Sequence, residues 1–291
     1  MRKSLLLRLL SISFLFGLAL PAAGQSVLFS TTQPAAVDGP GGPGSTQFTD
    51  GDVVRYDTVT GLGTVLYLDD VINDGGLPDM NALYVRSNGN LLFSTQSGSA
   101  NYPFQDDQIV EYDPVTDTLS LFYDFDGIIT TGSDVDINGF HMLSNGNFLI
   151  ANRSDFNLDS QSFLNGDIVE FDPVSQTASL FFSESLFEGS DDILLRSVSM
   201  LPNGNLLLSA FNEDTGGTVT LGGLTFGRGD LVEYDAQSDV ASLYISAAIF
   251  GGATEEFDAV HAVVPVPAAL WLLLGSLGAL IGTRRRLAGA R

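Results

Sequence analysis

The chain has 291 residues, with 12 Lys+Arg against 35 Asp+Glu, no cysteine, and a formal net charge of −23. Without cysteine it has no disulfides, thiolate metal sites or cysteine nucleophile, and without clustered cations it has no phosphate-tracking nucleic-acid surface. An apolar fraction of 44% is enough to build a core, which argues against a wholly disordered chain.

Residues 1–24 read as a secretory leader. Arg2, Lys3 and Arg8 supply the positive start, Leu9 to Leu20 the apolar run, and Ala22, Ala23 and Gly24 the small residues before Gln25. The alternative is an uncleaved membrane anchor, for which the run is short.

Residues 25–263 carry an internal repeat. One element is Gly-Asp-hydrophobic-Val-x-aromatic-Asp, at Gly51–Asp57, Gly166–Asp172 and Gly229–Asp235, with Asp107–Asp113 as a variant. Its aromatic residues Tyr56, Tyr112, Phe171 and Tyr234 are spaced by 56, 59 and 63. The other element is Asn-Gly-Asn before an apolar run, at Asn88–Asn90, Asn145–Asn147 and Asn203–Asn205. In the best-defined unit the pattern predicts strands at Asp136–Leu143, Phe148–Ala151, Asp167–Asp172 and Ala178–Phe182, with Asn-Gly forming the first turn.

The last unit stops after Phe257–Val263, where a strand like Leu91–Thr95 is due, and Ser26–Thr31 has that pattern. Pairing the two ends closes a ring and removes the exposed sheet edge. The expected fold is all-β: a four-bladed β-propeller of about 57–63-residue repeats. An Asn-Gly hairpin followed by a strand ending aromatic-Asp is similar to NHL-type and related propellers over residues 26–263, a likeness that implies architecture only. An open β-solenoid or a sandwich is the alternative.

Antiparallel order in each blade sends the tight turns to one face of the ring and the long loops to the other. Of the 35 acids, 24 fall in the long loops, so that face is expected to be acidic and to be the binding face. Three constellations stand out. Tyr84, His141, Ser199 and His261 share one repeat column on the inner strands, where His141 and His261 would face each other across the axis; they make either a polar or metal-binding tunnel or an ordinary semi-buried aromatic position. The column Asn81, Asn138, Arg196 and Asp258, three residues earlier, is expected on the opposite strand face. Asp134, Asp136 and Asn138 open a D-x-D-x-N-G calcium-loop pattern, but Asn145 stands where the bidentate Glu belongs and the stretch coincides with a strand. Asp155, Asn157 and Asp159 form a weaker acidic group without the loop glycine. Any Ca²⁺ is expected to associate weakly with the whole acidic face, and solvated loop charge is the simpler reading.

Val264-Pro265-Val266-Pro267-Ala268 precedes an apolar stretch to Gly282 and then Arg284, Arg285 and Arg286. As a helix, the 17 residues from Val266 to Gly282 span about 25 Å, just enough for a thin hydrocarbon core. The arginines favour the cytoplasmic side and leave the preceding domain outside. Motif, helix and arginine cluster together resemble the PEP-CTERM sorting signal of Gram-negative bacteria, in its VPxPA-type variant; Val266 stands where Glu is common. The resemblance covers 264–286 within a tail of 264–291. It implies export across the inner membrane, a membrane-anchored precursor, an exosortase-type membrane protease as partner, and a surface or extracellular destination accompanying exopolysaccharide and biofilm production. A simple C-terminal anchor is the alternative.

Between the two ends, residues 25–264 retain all 35 acids but only Arg55, Arg86, Arg153, Arg196 and Arg228, a net charge of −30. No Gly-x-Ser-x-Gly elbow or phosphate-cradling glycine loop occurs. The expected function is non-enzymatic: an acidic loop face presented to polysaccharide, cations or another surface protein, with no catalytic residues and no cofactor beyond weakly bound Ca²⁺. The alternative is an extracellular carbohydrate-active propeller enzyme, a hydrolase or lyase, with Arg196 contacting substrate.

Overall fold

A computed structural model describes residues 26–72, 79–96, 103–131, 135–189, 192–251 and 255–263. The leader, the tail from Val264 to Arg291, and Asp134 lie outside the described residues. Among the described residues no helix is long and apolar enough to cross a membrane.

The described residues open with β1 (Ser26–Thr31), the hairpin β2 (Ala35–Gly39) and β3 (Gly42–Phe48), then β4 (Val53–Asp57), β5 (Leu62–Tyr67) and a helical turn, Asp69–Ile72. The first blade follows: β6 (Met80–Val85), β7 (Leu91–Thr95), β8 (Gln108–Asp113) and β9 (Thr118–Asp124). After β10 (Thr130–Thr131) come β11 (Ile137–Met142) and β12 (Phe148–Asn152), the hairpin β13 (Phe156–Leu158) and β14 (Gln161–Phe163), then β15 (Ile168–Asp172) and β16 (Thr177–Phe182). The third blade comprises β17 (Ile193–Met200), β18 (Leu206–Asn212), the hairpin β19 (Val219–Leu221) and β20 (Leu224–Phe226), then β21 (Leu231–Asp235) and β22 (Val240–Ile245). A 3₁₀ turn (Ala247–Phe250) leads to β23 (Phe257–Val263).

Four four-stranded antiparallel sheets result, ordered β6-β7-β8-β9, β11-β12-β15-β16, β17-β18-β21-β22 and β23-β1-β4-β5. The ring is closed as the sequence predicts: Ser26 pairs with Val263, Leu28 with His261 and Phe29 with Val260. The innermost strands β6, β11, β17 and β23 pack side by side around the axis. This is a four-bladed β-propeller.

The second strand of each blade is buried on both faces, which explains its uninterrupted apolar run. In β12, Leu149 faces the core shared with the third blade, while its neighbour Ile150 faces the core shared with the first. Four such inter-blade cores succeed one another around the ring.

The repeat motifs are the joints of this architecture. In Asn-Gly-Asn only the glycine takes positive φ (Gly89 92°, Gly146 91°, Gly204 89°), giving a three-residue hairpin loop rather than a two-residue one. The first Asn accepts the N–H of the second, as in Asn88 Oδ1 to Asn90 at 3.1 Å. The second Asn donates to the Glu of the third strand: Asn90 to Glu111, Asn147 to Glu170 and Asn205 to Glu233, at 2.6–2.7 Å. In the Gly-Asp element, Asp52, Asp167 and Asp230 each accept two backbone N–H groups, tying the start of the third strand to the loop beyond the fourth. The closing Asp of the element caps the next turn, as Asp172 does for the N–H groups of Val174 and Ser175.

Candidate functional site along the ring axis

The inner column converges as expected. The Tyr84 ring meets His141 at 5.1 Å and His261 at 5.0 Å, both edge-on, and the two imidazoles lie 6.5 Å apart with planes 22° from parallel. Ser199 Oγ accepts the Ala262 N–H at 3.1 Å and stands 3.5 Å from His141 Nδ1. Burial lowers the His141 pKa to about 4, and burial together with His141 lowers that of His261 to about 3. Both imidazoles are therefore neutral at neutral pH. Ser199 is fully buried beside His141.

The column three residues earlier corrects the sequence expectation. Asn81, Asn138, Arg196 and Asp258 do not turn away from the first column; all four sit at the axis. The cause is a β-bulge in every inner strand. Met80 pairs with Thr95 and Ala82 with Ser94, so Asn81 is the extra residue; Asn138, Arg196 and Asp258 are its counterparts. One inserted residue reverses the side-chain alternation, bringing positions three apart onto the same side.

The bulge carbonyls find partners from the neighbouring blade. Ser94 donates to Ile137 O at 2.6 Å and Ser209 to Phe257 O at 2.9 Å. The second blade has Ala151 in that serine position, and there the Asn138 side chain donates to Leu195 O at 3.2 Å instead.

Since the inner strands run from the long loops toward the tight turns, the bulge tier lies on the long-loop side and the Tyr-His-Ser-His tier on the other. Sequence reasoning missed how charged the upper tier is. Arg196 pairs with Glu256 at 3.1 Å and Asp258 at 3.3 Å; Arg228 also holds Glu256, and lies over the Phe211 ring at 3.9 Å. Arg153 stands 3.6 Å from Asp136, which also accepts from the Asn81 amide. Three of the domain's five arginines thus gather at this mouth. Burial raises the pKa of Asp79 to about 6 and that of the fully buried Asp258 well above the ordinary carboxylate range. Arg196 had departed from its column in the sequence, but its partners had given no such signal.

The remaining expected residues are placed as follows. Asp136 immediately precedes β11 and Asn138 lies within it, committed to Asn81, Arg153 and Leu195 rather than arranged as a calcium loop. Asp155 accepts the Asn165 N–H, Asn157 accepts the Ser162 hydroxyl, and Asp159 accepts the Ala178 N–H. Among the described residues no group of three or more His, Cys, Asp or Glu is arranged to hold a metal ion. Val264, Pro265, Val266, Pro267, Ala268, Arg284, Arg285 and Arg286 lie outside the described residues.

No protein-family model matches the chain, and no curated protein matches it. Among solved structures it is similar to a protein of unknown function from Bacteroides caccae (10% identity, 82% of this chain and 99% of that one, TM-score 0.35). It is also similar to a catalytically inactive virginiamycin B lyase from Staphylococcus aureus (12% identity, 85% and 73%, TM-score 0.30). A third likeness is to the extracellular domain of a one-component system from B. thetaiotaomicron (11% identity, 68% of this chain, TM-score 0.29), of which this chain spans 20%. The four-bladed assignment rests on the strand order and closure described above.

Proposed function

We propose that this is an exported, exosortase-sorted surface or matrix protein of a Gram-negative bacterium that acts by binding and not by catalysis. The observation that carries the reading is the position of the two ends. Ser26 and Val263 are paired where the other blades have their Asn-Gly-Asn turns, on the tight-turn face. Val263, the last described residue before the sorting tail, thus ends its strand on the tight-turn face. The acidic loop face is the binding face for polysaccharide, cations or a surface protein in this reading.

The experiment is intact-mass measurement of the protein from the surface of exosortase-bearing cells. The expected product has lost the chain beyond about Val264, and a product retaining Arg284–Arg286 counts against the reading. Ca²⁺ is taken up weakly by the same face. Millimolar Ca²⁺ is expected to raise the melting temperature, since ions that bind only the folded state stabilise it; an unchanged value removes calcium from the account.

A further inference from the structure

Away from the axis, the closing blade holds a cavity of about 410 Å³ between the β2–β3 hairpin, the β4–β5 turn and the 3₁₀ turn Ala247–Phe250. Its size falls in the range of small-molecule sites. Asp38, Tyr56, Gly61, Ile249 and Phe250 are among its lining residues.

The repeat is broken at this place and nowhere else in the same way. In the first and third blades the tyrosine of the third strand donates to an Asp in the turn after it: Tyr112 to Asp117 at 3.0 Å and Tyr234 to Asp239 at 2.9 Å. The second blade has Phe171 and needs no such partner. The closing blade keeps the tyrosine, Tyr56, but has Gly61 where the Asp belongs. Gly61 has φ 71°, beside 56° for Asp117 and 53° for Asp239, so the backbone could accept the acid. A Cβ on Gly61 would meet Tyr56 Oη at 3.7 Å. The missing carboxylate is what leaves room for the cavity beside the phenol.

A different acid serves the cavity. Asp38 is contributed by the hairpin and accepts the Gly44 N–H at 2.9 Å through Oδ1. It also stands near enough to Tyr56 to help burial raise the phenol's pKa. Among the described residues no cationic side chain lines the cavity, and residues 25–264 are strongly anionic. Ile249 and Phe250 supply apolar surface.

We infer that this cavity binds a small organic cation, an apolar ring or chain bearing a protonated amine. The ammonium is held by Asp38 with Tyr56 Oη as a second partner, and the hydrocarbon lies against Ile249 and Phe250. The site is separate from the axial cluster.

The test is calorimetric titration of the full chain at pH 7 with three isosteric probes: cyclohexylamine, cyclohexanol and cyclohexanecarboxylate. The amine is expected to bind at least tenfold more tightly than the alcohol, and the carboxylate not at all. Asp38→Asn, which keeps an acceptor for Gly44, is expected to abolish the preference for the amine. Gly61→Asp restores the Tyr-Asp pair of the other blades in a backbone already shaped for it; it is expected to fold and to eliminate binding. The inference is overturned if the amine does not bind, if the alcohol binds as tightly, or if the folded Gly61→Asp protein binds the amine as the wild type does.

Discussion

The closing blade and the three continuous blades solve one packing problem with different residues. In the continuous blades the first two strands are joined by Asn-Gly-Asn, whose second Asn reaches the Glu of the third strand. In the closing blade no turn joins β23 to β1. Ser26 stands in place of the second Asn and Arg55 in place of the Glu, with Arg55 Nε and Nη2 each donating to Ser26 Oγ at 3.2 Å. The donor and acceptor have exchanged sides while the link is kept. What the blade lacks in covalent continuity it supplies in aromatic packing: Phe29 meets Phe48, Tyr56, Phe250 and Phe257, with ring centroids 5.0–6.5 Å apart. Closure is thus achieved chiefly by apolar burial, with polar groups fixing the register.

The comparison is broken most severely at that ring. Phe29→Ala is expected to cost about 3–5 kcal/mol, as other buried Phe truncations do, and so is Phe93→Ala at the matching position of the first blade. Only Phe29→Ala should also speed amide exchange in 26–31 and 257–263 well ahead of the other blades; uniform exchange would mean the seam is no weaker than the rest.

Arg196→Met removes the cation between Asp258 and Glu256. Breaking one side of a buried ion pair costs about 3–5 kcal/mol. Adding Asp258→Asn should recover part of the loss, whereas additive losses in denaturant titrations would show the two residues to be uncoupled.

Acid sharpens the contrast between the two axial tiers. His141 and His261 titrate at about 4 and about 3 in the fold, below the ordinary 6.5, so the unfolded chain takes up these protons first. Their stabilising contribution is complete above pH 6.5 and is lost as the pH falls. Asp79, raised to about 6 from 3.8, acts in the opposite sense, since the folded state takes up its proton first. His261→Gln isolates one histidine: below pH 6 the stability gap to wild type should close by about 1.4 kcal/mol per pH unit. A gap independent of pH would mean His261 is already charged in the fold.

The smallest effect bears on the broken repeat. Tyr234→Phe loses a hydrogen bond and should cost about 1 kcal/mol, while Tyr56→Phe, with Gly61 where the partner acid would stand, should be near neutral by the same melting measurement. Equal losses would mean that Tyr56 has a partner of similar strength.

Blade number, closure and the Tyr84–His141–Ser199–His261 column were legible in the sequence because each depends on spacing within a repeat. The placement of the Asn81 column was not. A β-bulge adds one residue to one strand without changing the repeat length, and only the second blade has a glycine beside it (Gly139), so simple alternation assigns the wrong face. Counting acids located the charge but not its use. Asp52, Asp167 and Asp230 are occupied by backbone N–H groups, a distinction set by distance and not by composition. The substitution of Gly61 for an acid was visible in principle, but it gains meaning only once Tyr112 and Tyr234 are seen reaching for Asp117 and Asp239.

The register of the seam has a mechanical consequence. Ser26 and Val263 are partners at the same end of β1 and β23, so tension drawing them apart loads the ladder one rung at a time, like a zipper. Pulling along the strands in shear would instead have to break several rungs together. The propeller is therefore weakest against force applied between Ser26 and Val263.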